Sequence, residues 1–308
     1  MPLPMPHTRR RLGIAAAAVG NSIFGFSFMF SRMALSVATP YVMLMYRFAA
    51  AFLVLGLIGL WAKRTGQQGW LRFRLRPRQA APLLLLGITQ PVLYFLCESY
   101  GISLTNATVS GVIIALVPIA ALGAGALLLG EKPALAQIGF ALLSIAGVVL
   151  MTLQQTAQGD VQPLGVLLLL GAVASAVAFN LLSRKQSARY SVLERTVVMM
   201  LVGAVTFTGL ALWENAGQWH RLVQPLGSPV FLGAVVYLSL LSSVVAFLML
   251  NYANTELPVA QSTVFCNLTT VISLLAGVVF LGEPFGFGML LASAVMGAAA
   301  WAVYGLCA

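Results

Sequence analysis

The sequence predicts an all-α integral membrane protein of ten transmembrane helices, arranged as two five-helix repeats of opposite orientation. Three observations carry that expectation. Of the 308 residues, 60% are hydrophobic and only 8% charged. The cations fall almost entirely on one side of the apolar runs. The chain also matches itself at an offset of 152 residues.

Composition comes first. A soluble domain carries about a quarter charged residues, so a chain this poor in charge could not cover its own surface with water-compatible groups. The apolar residues lie in long runs, and charge-poor runs of about 18 or more are transmembrane candidates. The runs are 12–35, 40–62, 80–101, 106–129, 133–153, 162–183, 191–213, 229–253, 257–281 and 285–306. The first follows Arg9-Arg10-Arg11, as a signal peptide would, but it is too long for a signal core and reads as a retained helix. Pro40, Pro133, Pro229 and Pro284 stand at or just before helix starts, where a missing N–H costs nothing. Gly130 and Gly282 mark tight turns. Trp61, Trp213, Tyr41 and Tyr304 fall near span ends, as interfacial aromatics do. Gly20, Gly25, Gly111 and Gly125 read as points of close helix packing.

The net charge of +10 reads as orientation in the bilayer rather than nucleic-acid binding, because the cations sit between apolar runs. If ten helices alternate, one side holds Arg9, Arg10, Arg11, Lys63, Arg64, Arg72, Arg74, Arg76, Arg78, Lys132, Arg184, Lys185, Arg189 and Arg195. That is 14 of the 17 cations, against Arg32, Arg47 and Arg221. The positive-inside rule then places both termini in the cytoplasm, and the chain is expected in the plasma (inner) membrane.

The repeat follows one register. Ser31-Arg32 matches Ser183-Arg184, Tyr100 matches Tyr252, Ser110 matches Ser262, and Leu129-Gly130-Glu131 matches Leu281-Gly282-Glu283. The expected halves are 1–153 and 160–308. Each has an odd number of helices, so the second must enter from the opposite face. Inverted repeats of this kind place a site at the midplane between them.

An ordered set of short motifs carries a resemblance. It comprises Tyr46-Arg47-Phe48, Tyr100-Gly101 leading through Asn106-Ala107 into the fourth run, and Pro118 within that run. The turns Leu129-Gly130-Glu131-Lys132 and Leu281-Gly282-Glu283-Pro284 complete it. The chain resembles the drug/metabolite transporter superfamily, and within it the EamA-like branch. The resemblance implies export or exchange of small polar or amphipathic metabolites, amino-acid-like ones included, and does not fix the substrate. Thr270 stands where a second proline, the counterpart of Pro118, is often found. The ninth run is therefore expected to bend less than the fourth, or to bend through Asn267, Thr269 and Thr270.

Polar residues inside the runs are the candidate site, because each ionisable group at a helix centre costs at least about 2.5–3.5 kcal/mol. Gln90-Pro91 lies mid-span in the third run, and Pro91 should kink that helix. Its counterpart at the same depth is Ser242-Ser243. Tyr94 lies one turn from Gln90. The amides of Asn21, Asn180 and Asn267 must face protein. Gln90, Tyr94, Asn21, Asn180, Ser242, Ser243 and Asn267 are thus the candidate substrate-binding residues. The competing reading is that such groups only glue helices together.

Arg47 and Glu98 are the deepest charges, roughly 10 Å and 5–9 Å below one face at 1.5 Å per residue. They are candidates for gating or coupling, with three arrangements open: a static ion pair, a proton-exchanging Glu98 that releases Arg47, or no pair. Glu131 and Glu283 read as caps of the helices that follow.

Other classes fit less well. Neither His7 nor His220 lies in a span, and no carboxylate cluster suggests a metal. An intramembrane hydrolase would therefore lack its base. Cys97, Cys266 and Cys307 match no metal or disulfide spacing. The sequence holds no soluble domain to carry the output of a scaffold or sensor. No catalytic residue, metal or cofactor is expected. The expected partners are a small-molecule substrate and the lipid bilayer, without nucleic acid, and a homodimer is left open.

Overall fold

The computed structural model describes residues 7–74, 80–129, 161–257, 262 and 265–282, which form helices and short connections without a strand. Among the described residues, six helices are long and apolar enough to cross a membrane. They are α1 (His7–Leu35), α2 (Pro40–Arg64), α3 (Ala81–Ser103), α6 (Pro163–Gln186), α7 (Val192–Glu214) and α8 (Pro229–Glu256). Shorter helices are α4 (Ala107–Ile114), α5 (Val117–Leu129) and α9 (Cys266–Leu281). The fifth and tenth expected spans lie outside the described residues, as do the turns at Gly130-Glu131-Lys132-Pro133 and Glu283-Pro284 and residues Tyr304 and Cys307.

The helix ends follow from local sequence. Pro40, Pro163 and Pro229 occupy first-turn positions of α2, α6 and α8, where the orphan N–H would have no partner. Asn106 caps α4, its Oδ1 accepting from the Val109 N–H at 2.8 Å. Ser191 and Glu194 form a capping box at the start of α7. Gly282 closes α9 with φ 65°, a left-handed conformation that glycine adopts without a Cβ clash.

The direction of each helix can be read from contacts at its ends. Arg32 Nη1, at the end of α1, donates to the Ile102 carbonyl at 3.1 Å near the end of α3. The Gln162 N–H, at the start of α6, donates to the Leu104 carbonyl at 3.0 Å. So α6 begins where α1 and α3 finish, and it runs against them. Thr39 at the start of α2 donates to Glu214 at the end of α7 at 2.6 Å. At the other end, Arg184 Nη1 donates to the Asn254 carbonyl at 3.2 Å and to the Thr255 carbonyl. Adding 152 to Arg32, Ile102 and Ser103 gives Arg184, Asn254 and Thr255. The same arginine therefore performs the same carbonyl-capping role at opposite ends of the bundle, once per repeat. Both are carried on side chains long enough to reach the helix end while their stems stay in the apolar layer.

Packing obeys the same relation. Helix α1 packs on α8 as α6 packs on α3, and α2 packs on α8 as α7 packs on α3. The pairs α2–α7 and α4–α9 are each other's counterparts and lie on the pseudo-twofold axis. The α4–α9 crossing is close: a Cβ at Gly111 would stand 1.7 Å from Ser273 Oγ, and Thr270 Oγ1 donates to the Gly111 carbonyl at 3.1 Å. At Gly25, a Cβ would stand 2.6 Å from Ile272 Cβ. Gly20 likewise meets Ala246, while the surroundings of Gly125 lie outside the described residues.

Three helices depart from regular geometry near mid-span. Within α3 the segment Ile88–Leu93 is π-type and Gln90 is non-helical, at φ −146° and ψ 114°, where Pro91 was expected to kink the helix. The Thr89 carbonyl accepts from Ser175 Oγ of α6 at 2.6 Å, so a neighbouring helix meets the polar group that the kink exposes. The counterpart in α8, Tyr237–Ala246, is also π-type, although it contains no proline. The fourth run is broken at Ala115 and Leu116. Pro118 cannot donate to the Ile114 carbonyl and crowds it, which ends α4 there. By contrast α9 is unbroken through Thr269 and Thr270, so the halves differ where Thr270 replaces a proline.

Substituting Gly111→Leu should drive a side chain into Ser273 and lower stability by about 1–3 kcal/mol or more. Thermal unfolding of the purified protein in detergent checks this. Gly56→Leu, at a glycine with nothing within 4 Å of its Cβ position, should unfold near the wild-type temperature.

Candidate functional site

A cavity of about 50 Å³ lies between the two repeats. The first repeat supplies Asn21 from α1 and Gln90, Tyr94 and Glu98 from α3. The second supplies Asn180 from α6 and Cys266 and Thr269 from α9. Phe24, Phe28 and Phe95 form aromatic walls, and Ile114 and Val117 flank the break between α4 and α5. The cavity thus sits against both irregular points of the first repeat.

Tyr94 and Glu98, one regular turn apart, and Gln90, in the irregular segment before them, all line the cavity from α3. Tyr94 donates its hydroxyl to Glu98 Oε1 at 3.0 Å. Both are buried. Gln90 is also buried, and its Oε1 has no hydrogen-bond partner. Asn21 Nδ2 donates to its own helix at Ala17 (2.8 Å). Its oxygens accept from Thr269 Oγ1, the backbone carbonyl at 3.0 Å and Oδ1 at 3.3 Å. Asn180 Nδ2 likewise donates to Ala176 (2.9 Å), and its Oδ1 accepts from Asn254 Nδ2 at 2.9 Å. Each asparagine thus gives one amide hydrogen to its own helix. The rest of the polar lining is the Glu98 carboxyl and the Gln90 amide, set among aromatic faces.

Four of the seven residues expected to bind substrate, namely Asn21, Gln90, Tyr94 and Asn180, come together here, joined by Glu98. Ser242 and Ser243 do not. Both are fully buried on α8 and engaged by Arg47, which donates from Nη2 to Ser242 Oγ at 2.8 Å and from Nε to Ser243 Oγ at 2.9 Å. The expectation that their equal depth with Gln90 would bring them to the cavity is thus corrected: a buried guanidinium has taken their acceptors. Asn267 lies in the first turn of α9, and its side chain lies outside the described residues.

Of the three arrangements left open for Arg47 and Glu98, the described residues show no direct pair: the only salt bridge among them joins Arg72 and Glu194 at 3.7 Å. Arg47 instead stands 4.1 Å from the Phe95 ring centroid, a cation–π contact in a desolvated setting. Its Nη1 has no partner. Phe95 also lines the cavity, so Arg47 occupies the layer behind the aromatic wall while Glu98 faces the space.

Sequence reasoning missed a second polar network. Arg195 belongs to α7 and is fully buried, not part of the connection before it. It donates to Ser183 (carbonyl 2.9 Å, Oγ 2.7 Å), to the Asn251 carbonyl at 2.9 Å and to Thr255 Oγ1 at 2.5 Å. Ser183 Oγ in turn donates to Asn251 Oδ1 at 2.8 Å, and Ser262 Oγ donates to Asn254 Oδ1 at 2.8 Å. These groups seal the bundle between the cavity and the end where α6 finishes and α7 begins. The available signal was Asn251 and Asn254, two amides three residues apart in an apolar run.

Comparison with known proteins agrees with this architecture. The EamA-like transporter family model matches twice, over residues 11–153 and 163–305. The chain is 31% identical over 271 residues to the uncharacterized transporter YcxC of Bacillus subtilis (strain 168), covering 87% of this chain and 85% of that one. It is 27% identical over 211 residues to a probable terminal-alkyne amino-acid exporter of Streptantibioticus cattleyicolor (strain ATCC 35852), covering 68% of each. A solved crystal structure shares the fold with a TM-score of 0.65 at 21% identity, over 96% of this chain and 97% of that one. An integral membrane protein with apolar helices of spanning length and the family unit present twice, this chain belongs to the EamA-like transporter family.

Proposed function

We propose that the protein is a secondary transporter that moves a small, amine-bearing, amino-acid-like metabolite through the cavity by alternating access between its two inverted repeats. The observation that carries this reading is the cavity's composition: both repeats contribute, and a carboxyl, an amide and aromatic faces line it. The Glu98 carboxylate and the unpartnered Gln90 Oε1 suit an ammonium group, and Phe24, Phe28 and Phe95 suit its apolar remainder and its charge. Likeness to the amino-acid exporter supports the same class.

At about 50 Å³ the cavity is closed down to a few waters, whereas ligand pockets are typically ~300 Å³ or more. A transport cycle must therefore widen it. The kink at Gln90-Pro91, the break at Ala115 and Leu116, and the π-type segment of α8 are where a helix can change direction at least cost, since its hydrogen-bond ladder is already interrupted there. Arg47 and Glu98 serve coupling. With substrate bound, the ammonium balances Glu98; with the cavity empty, a proton takes its place, and Arg47 behind Phe95 biases that exchange. The two halves, 1–153 and 160–308, act as the moving units, in a bundle of ten spans.

The orientation follows from charge. Among the described residues Arg9, Lys63, Arg64, Arg72, Arg184, Lys185 and Arg189 gather at the end where α6 finishes and α7 begins. That end faces the cytoplasm in a plasma (inner) membrane, and both termini lie there.

Two experiments test this reading. Reporters fused after Ala308 and within 65–70 should both report cytoplasm, and one within 216–219 should report the outside; an external C-terminus contradicts the ten-span arrangement. In the second, the metabolites exported by cells that overexpress the protein are compared across variants. Wild type should enrich the medium in a small amine, and Gln90→Leu should abolish that at unchanged expression. Glu98→Gln should fold normally yet lose the pH dependence of transport. An unchanged medium on overexpression overturns transport. Unchanged pH dependence in Glu98→Gln overturns the coupling role.

A further inference from the structure

We propose that the end of the bundle that gathers the arginines carries a binding site for one anionic glycerophospholipid, with the phosphate in a basic basin and an acyl chain in an apolar groove between α1 and α8. The groove has a volume of about 290 Å³. Leu12, Ala15, Ala16 and Val19 form one wall, the face of α1 given by spacings of three and four. Leu248, Met249 and Tyr252 of α8 form the other. Leu12 and Val19 are about half exposed, so the groove opens sideways toward lipid. From Leu12 to Val19 it runs roughly 10 Å into the apolar layer at 1.5 Å per residue, a length that suits the upper part of an acyl chain.

The mouth of the groove changes character. Leu12, Trp70 and Tyr252 belong both to it and to an adjoining polar basin of about 530 Å³. Arg9, Arg72 and Arg189 line that basin together with Glu256, Ser187 and Ser191. Arg72 is anchored by Glu194 at 3.7 Å and donates to the Arg189 carbonyl at 3.2 Å, and its Nε is buried without a partner. Trp70 stands edge-on to Tyr252, ring centroids 6.4 Å apart, at the level where amphipathic rings sit in a bilayer.

Charge complementarity selects the occupant. A basic pocket continuous with a lipid-facing apolar groove matches a molecule that is anionic at one end and hydrocarbon at the other. A water-soluble anion would leave the groove empty, and a zwitterionic lipid would bring an ammonium group toward the arginines.

The test uses the full chain purified in detergent. Its melting temperature is followed on adding phosphatidylglycerol, phosphatidylcholine with the same acyl chains, or glycerol phosphate without chains. Phosphatidylglycerol should raise the melting temperature well above the effect of phosphatidylcholine, and glycerol phosphate should leave it unchanged. Arg9→Gln with Arg189→Gln, both at exposed positions, should keep the lipid-free melting temperature and lose the preference for phosphatidylglycerol. Ala15→Phe, which fills the groove, should weaken the response to both lipids. Equal responses to the two lipids, a preference that survives the double substitution, or stabilisation by glycerol phosphate alone would overturn the proposal.

Discussion

Hydrocarbon offers no hydrogen-bond partner, so every polar group that enters it must be met by another part of the chain. That constraint organises this bundle more than any single contact. Where α3 loses its regular ladder at Gln90-Pro91, Ser175 of α6 meets the exposed carbonyl. Where α1 and α6 would end next to uncapped carbonyls of their neighbours, Arg32 and Arg184 reach across. Arg47, an ionised group in the middle of the protein, is held by two hydroxyls and an aromatic face rather than by a carboxylate. In each case the answering group comes from another helix, and so the polar requirement dictates which helices must be neighbours.

The exceptions then stand out. A polar atom left without a partner at this depth is costly, and Gln90 Oε1 is such an atom at the edge of a cavity. Asn21 and Asn180 each give one amide hydrogen to their own helix, and the Glu98 carboxyl and the Gln90 amide line the same space. Phenylalanines wall this space. On the proposed reading, an entering donor would relieve the unpartnered oxygen, which gives the closed state a reason to be temporary.

Much of this was legible in the sequence, for physical reasons. The period and length of the apolar runs, the proline starts and the glycine turn follow from backbone requirements that are local. The repeat was visible because Arg32 and Arg184 must do the same job at opposite ends. That Asn21, Gln90, Tyr94 and Asn180 turn inward was legible because polar groups in apolar runs have few tolerable places. What was not legible was partner choice. Depth alone paired Gln90 with Ser242-Ser243 and Arg47 with Glu98, but depth does not specify the angle around the helix axis. The π-type segment of α8 turns that angle further and brings the serines to Arg47, while Glu98 meets Tyr94 one regular turn before it on its own helix. The burial of Arg195 was not legible for the same reason: a cation one turn inside a helix start can reach water or turn inward, and only the packing of α6 and α8 decides.

The central claim is that Gln90 and Asn180 face a shared, periodically opened space while Ser242 belongs to the packed interior. Cysteine accessibility addresses it directly, in a background with Cys97, Cys266 and Cys307 replaced. Gln90→Cys and Asn180→Cys should react with small aqueous thiol reagents during turnover, while Ser242→Cys stays protected under the same conditions. Protection of positions 90 and 180 equal to that of 242, or labelling of 242 as fast as theirs, would contradict the account.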